Sequence, residues 1–226
     1  MDDQASARSP GAGWSRYALV VVDVQCDFWS EAEAETAPDM PERLAGLLTY
    51  ARRTGLRVVH VRAQFRADGS DWMARYRLRG TIPCIDGTSG AETLPWAVEE
   101  PGETVVSKQT FDGFLRTDLD AELRSTGVQF LLIAGLVTST CVLLTATTAT
   151  QLGYLVAVVT DCCSDREQAH RDTLDNYRFV FDSARSDEIP KMRRQWNADL
   201  DRLSSPVPSE HSVSAVRSRS GVRNRR

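Results

Sequence analysis

Val128-Gln-Phe-Leu-Leu-Ile-Ala-Gly135, Leu136-Val-Thr-Ser-Thr-Cys141, Val142-Leu-Leu-Thr-Ala-Thr-Thr-Ala-Thr-Gln-Leu152 and Gly153-Tyr-Leu-Val-Ala-Val-Val-Thr-Asp161 follow one another without a gap. The first segment is a continuous apolar run, the mark of a strand buried on both faces. Gly135 is expected to break it. Thr138, Ser139 and Thr140 are candidate N-caps for the helix that follows, and Gly153 is its expected stop. A second apolar run comes next. Strand, turn, helix and strand in this order predict a parallel pair joined by a crossover helix. Cys141 falls where strand gives way to helix. A thiol there faces the positive end of the helix dipole and unpaired N–H groups, which favour a thiolate and can bind an oxyanion. A cysteine that simply packs fits the same stretch equally well.

The rest of the chain repeats the alternation. Tyr17–Val22 reads as the first buried strand and ends in Asp23-Val-Gln-Cys-Asp27-Phe-Trp. Residues 30–38 read as a loop. Pro41–Thr54 has helical spacing and stops at Gly55. Leu56–Val61 is the second strand, with His60 inside it as a structural histidine. Thr104–Ser107 is the third strand, with Lys108 at its end, and Asp118–Ser125 is a helix. A helix over 166–177, a sixth strand at Phe179–Phe181 and a last helix over Glu188–Leu203 follow. The alternation predicts an α/β sandwich around a parallel sheet.

Between the second and third strands, residues 62–103 are irregular and carry aromatics among arginines. A long loop in a compact domain is usually functional, so this segment is expected to face the substrate or a second subunit.

The 226 residues suit one domain with tails: an arm over 1–13, a domain over 14–203 and a disordered basic tail over 204–226. A net charge of −4 argues against a general nucleic-acid binder, and no apolar run has transmembrane length. The N-terminus lacks the apolar core of a secretory signal. The five cysteines show no zinc-ligand spacing and suggest free thiols in a reducing, cytoplasmic setting. No Gly-x-Gly-x-x-Gly follows the first strand, which excludes the dinucleotide-binding fingerprint.

A parallel sheet gathers the carboxyl ends of its strands on one edge, where ligands bind. Asp23, Lys108 and Cys141 each stand at such an end. A carboxylate, an ammonium and a thiol in one cleft supply a general acid/base, a tuning charge and a nucleophile.

Three motifs carry a resemblance: an apolar strand running into Asp23-Val-Gln-Cys-Asp-Phe28, the step Val105-Val-Ser-Lys108, and Ala134-Gly-Leu-Val-Thr-Ser-Thr-Cys-Val142. Together they resemble the isochorismatase-like cysteine hydrolases over roughly residues 15–200. For the fold, the resemblance implies a three-layer α/β sandwich, a six-stranded parallel sheet with helices on both faces. The resemblance implies Asp23 as general acid/base, Lys108 as the charge that sets the pKa values and Cys141 as nucleophile. It implies a cis peptide joining Leu136 to Val137, an oxyanion hole from the N–H groups of Val137 and Cys141, and a homodimer or tetramer. Gln25, Phe28, Gln64, Arg66, Trp72, Phe111 and Thr138 are the expected substrate contacts.

Hydrolysis of a linear amide, ureido or carbamoyl C–N bond through a thioester is the implied chemistry, with no cofactor. The run Gly87-Thr-Ser-Gly-Ala-Glu92 resembles the ureidoacrylate, biuret and carbamoylsarcosine side of the family. Two departures stand out. Asp112-Gly113 replaces the Ser-Ala that many members carry after the lysine, which is expected to change charge and room beside Lys108. The metal-binding histidines of the nicotinamidase branch are missing from Gln64–Ser70, so no catalytic metal is expected. A vinyl-ether hydrolase driven by Asp23 alone, or an oligomeric scaffold without turnover, remain the alternatives.

Overall fold

The computed structural model describes residues 13–205. Six strands are joined by helices: β1 (Tyr17–Val22), β2 (Arg57–Ala63), β3 (Thr104–Lys108), β4 (Phe130–Leu136), β5 (Leu155–Ser164) and β6 (Asp182–Ala184). The helices are α1 (Glu31–Thr36), α2 (Met40–Thr54), α3 (Ala74–Arg79), α4 (Leu119–Ser125), α5 (Leu143–Gln151), α6 (Glu167–Asn176) and α7 (Ile189–Leu203). The described residues divide into two compact units, the first ending at Lys191 and the second beginning at Met192. The arm expected over 1–13 and the tail expected over 204–226 lie almost wholly outside the described residues.

The sheet order is β3-β2-β1-β4-β5-β6, and every neighbouring pair is parallel. The order reverses between β1 and β4, the place where open parallel sheets hold their ligands. Both central strands are buried along their whole length, as their unbroken apolar runs require. Along β1, Ala18, Val20 and Val22 join Leu119 and Leu123 of α4 and Ala146 and Ala149 of α5 in one core. Leu19 and Val21 alternate to the other face. α2 packs against β2 and β5. It buries Leu44, Leu47, Leu48 and Ala51 and ends at Gly55 with φ +72°.

Several expectations are corrected. Gly135 does not break β4: the strand runs through it at φ +129°. A Cβ there would lie 2.0 Å from the Val22 carbonyl oxygen, so the residue is a glycine because two backbones meet. Residues 30–38 are not a plain loop. They hold α1, started by a capping box in which Ser30 and Glu33 bond each other's backbone ends. The sixth strand is Asp182–Ala184, not Phe179–Phe181. Phe179 is 85% exposed, and it is Ala157–Val159 of β5 that selects the pairing register. β5 also runs on through Cys162 and Cys163, which are buried and free.

Candidate active site

Asp23 is the first residue after β1. It adopts φ +51°, a left-handed conformation that Asp tolerates better than most residues. The bend turns its fully buried carboxylate along the edge of the sheet. The Ala63 N–H donates to Oδ1 at 2.9 Å. Lys108 Nζ lies 2.7 Å from Oδ2, which accepts no hydrogen bond of regular geometry. Lys108 closes β3, level with Ala63 in the β2–β3 register. Only 1% of it is exposed, and Nζ also donates to the Thr110 carbonyl at 2.8 Å. The third group, the Cys141 thiol, interacts with both the carboxylate and the ammonium. Three groups from distant parts of the chain thus meet beside the β1–β4 reversal.

Cys141 is carried by one wide π-type turn, Thr138–Val142, that leads into α5. The expected caps Thr138, Ser139 and Thr140 lie inside this turn instead. The N-cap is Val137, which has no side-chain oxygen to offer. The Leu136–Val137 peptide is cis. A resting thiolate is also corrected: burial pushes the Cys141 thiol well above its ordinary range, Asp23 pushes the same way, and Lys108 only partly opposes them. Burial likewise raises the Asp23 carboxyl, against the pull of Lys108. The Lys108 ammonium keeps its proton despite burial, because Asp23 and Cys141 face it. These directions favour a protonated thiol beside the Lys108 ammonium.

The expected substrate contacts do not all converge. Gln25 spends its amide on the framework: it donates to the carbonyls of Ala63 and Ala91 and accepts from the Ala63 N–H, at 2.8–2.9 Å. Gln64 is held between Asp86 and Ser107 at 2.7 Å each. The Thr138 hydroxyl bonds His170 Nδ1 at 2.8 Å. Arg66 is exposed, and its backbone carbonyl accepts from the Trp72 indole. Phe28 and Trp72 pack, with Tyr76, on a small cluster of Ala63, Phe65 and Cys84. Phe111 lies 5.9 Å from Tyr76, ring to ring.

Tyr76 was not among the expected residues. It stands on α3, stacks edge-on against Phe65 at 5.6 Å, and feels the charges of Cys141, Lys108 and Asp23. Burial first, then the thiol, push its phenol up to about 12. No local signal in an irregular segment marks it.

The Asp112 carboxylate accepts from the Thr148 hydroxyl and the Phe114 N–H. Gly113 leaves the room Thr145 needs: a Cβ there would stand 3.1 Å from the Thr145 methyl. His60 is the structural histidine expected, bonded to Glu103 at 2.9 Å. Among the described residues no group of three or more His, Cys, Asp or Glu is placed to hold a metal ion. No helix among them is long and apolar enough to cross a membrane. A cavity of about 770 Å³ opens beyond the ends of β5 and β6, and none of Asp23, Lys108 and Cys141 lines it.

An all-parallel sheet in this strand order, with a thiol-bearing turn after its fourth strand, marks a class of α/β proteins. The Isochorismatase domain model matches residues 17–184, and the chain belongs to the isochorismatase family of hydrolases. It is 30% identical over 206 residues to a maleamate amidohydrolase of Pseudomonas putida, covering 84% of this chain and 94% of that one. Among solved structures, an isochorismatase family protein from Desulfovibrio vulgaris is 34% identical with a TM-score of 0.73, over 78% of this chain and 97% of that one. The N-carbamoylsarcosine amidase of Thermoplasma acidophilum is 28% identical with a TM-score of 0.67, over 76% and 98%.

Proposed function

We propose that this protein is a cysteine-dependent amidohydrolase that cleaves a linear C–N bond of a small molecule. The observation that carries the reading is the buried contact of Asp23 with Lys108 and Cys141. Asp23 takes the Cys141 proton, and Lys108 stabilises the thiolate so formed. The thiolate attacks the carbonyl carbon, and the N–H groups of Val137 and Cys141 hold the oxyanion. Protonated Asp23 gives its proton to the departing nitrogen, the C–N bond breaks, and a thioester remains. Asp23 then takes a proton from water. The resulting hydroxide attacks the thioester, and the acid leaves as the thiol is restored.

Phe28, Trp72, Tyr76 and Phe111 support a flat, small acyl group as substrate, with maleamate-like amides the first choice. The reading includes assembly into a homo-oligomer, which light scattering would measure.

The test is ammonia release from a panel of unsaturated acid amides, ureido acids and carbamoyl amino acids, with Cys141→Ala beside the wild type. Loss of the nucleophile should lower kcat by at least about 10⁴-fold. A second reading also has support: a carboxyl raised by burial is suited to protonate an enol ether without a thiol. Full activity of Cys141→Ala on such an ether would replace the thioester mechanism.

A further inference from the structure

The turn that carries Cys141 lacks its own cap. Val137 stands at the N-cap position, where a side-chain oxygen normally accepts the N–H of the second or third helical residue. The second residue is Ser139, and its N–H donates at 2.8 Å to Oδ2 of Asp165. The missing cap is thus supplied from another element, the junction of β5 and α6. Asp165 is itself held in place, its Oδ1 accepting the Arg166 N–H at 2.8 Å, and it is 7% exposed. Its negative charge sits at the positive end of the turn, so the bond is charge-assisted. One residue earlier, the buried Thr138 hydroxyl bonds His170 Nδ1 on α6. Within the turn, the Val142 N–H reaches the Val137 carbonyl over 3.3 Å, the wide closure of a π turn.

We propose that Asp165, Thr138 and His170 form a brace behind the cysteine turn and act as positioning residues that hold the Cys141 sulfur against Asp23 and Lys108. The inference rests on Cys141 being the nucleophile proposed above. None of the three side chains touches the carboxylate–ammonium pair in this structure. They act through the backbone of residues 138 and 139. Without them the turn is free to swing the thiol toward solvent.

The test reads the thiol directly and needs no substrate: the pH dependence of Cys141 alkylation by iodoacetamide, followed by peptide mass in the full chain. Burial is the main reason the thiol resists ionisation. Loosening the turn should therefore move the alkylation midpoint down, toward an ordinary thiol, by about one pH unit. Thr138→Val and Asp165→Asn are each expected to show this shift. Thr138→Ser, which keeps the hydroxyl, should overlay the wild type. The double variant Thr138→Val/His170→Ala should shift no further than Thr138→Val alone, because both remove one bond.

Unchanged midpoints in Thr138→Val and Asp165→Asn would overturn the brace and leave the hydrolase reading standing. So would equal shifts in Thr138→Ser and Thr138→Val, or additive shifts in the double variant. A wild-type Cys141 inert at every pH, in a protein whose ammonia release survives Cys141→Ala, would remove the nucleophile and, with it, both proposals.

Discussion

Lys108 is a buried cation whose neighbours are chosen for it. A lysine 1% exposed is held by one carboxylate at 2.7 Å and one backbone carbonyl at 2.8 Å. Removing one member of such a pair leaves the other charged and desolvated, which typically destabilises by about 3–5 kcal/mol. Lys108→Met keeps most of the volume and should lower unfolding free energy by that amount in urea titrations. The double variant Asp23→Asn/Lys108→Met should recover most of the loss, since no unpaired charge remains. Equal stability of Lys108→Met and wild type would mean that Asp23 is neutral in the resting fold. Asp23, Lys108 and Cys141 were all legible in the sequence, because each stands at or just past the end of an apolar run and carries a reactive group. Gln25, Gln64 and Thr138 also carry framework bonds that the sequence did not show. Their partners — Ala91, Asp86 and His170 — are 22 to 66 positions away in the chain, and no local pattern shows that an amide or hydroxyl is already occupied.

At the scale of elements, the close passage of β1 and β4 is the tightest constraint in the sheet. Gly135→Ala would place a methyl 2.0 Å from the Val22 carbonyl oxygen, at a φ that L-residues rarely adopt. Backbone cannot yield as a side-chain tip can. The loss should exceed the roughly 1–3 kcal/mol typical of an overfilled core. Circular dichroism and soluble yield of the variant would check it, and a wild-type melting curve would show that the two strands can part at low cost. Long, uniformly apolar strands and the α2 periodicity were readable from residues alone. The short edges were not. Phe179–Phe181 looks more strand-like than Asp182–Ala184, yet an edge strand is selected by the partner's register rather than by its own hydrophobicity. α1 did carry its signal, the Ser30-x-x-Glu33 box, but the Ala/Glu-rich stretch around it has no apolar face to confirm a helix.

For the whole molecule, the acid limb of stability should be governed in part by Glu103. Burial works against its charge, but hydrogen bonds from His60 and Arg52 hold its pKa down to about 2, below the ordinary 4.5. A depressed carboxyl contributes stability that is fully present above about 4.5 and is lost as pH falls through about 2. Glu103→Gln should therefore flatten the decline in thermal midpoint across that window, while lowering stability at neutral pH. Parallel declines in the two proteins would show that other groups set the acid limit. The same ion network joins α2, β2 and the segment before β3, since Arg52 also donates to Val98.

The backbone partition of the site bears on how the protein could be altered. Asp23, Lys108 and Cys141 are placed by β1, β3 and the turn after β4, whose spacing is set by the sheet. Phe28, Trp72 and Tyr76 lie outside those strands, on short turns and α3, folded over Ala63, Phe65 and Cys84. Trp72 and Tyr76 thus lie apart in sequence from the strand ends that carry the trio. A mutational library confined to residues 66–80 should exchange one acyl group for another while every member keeps the same chemistry. Random changes spread over the chain would mostly spoil the machine before they retuned it.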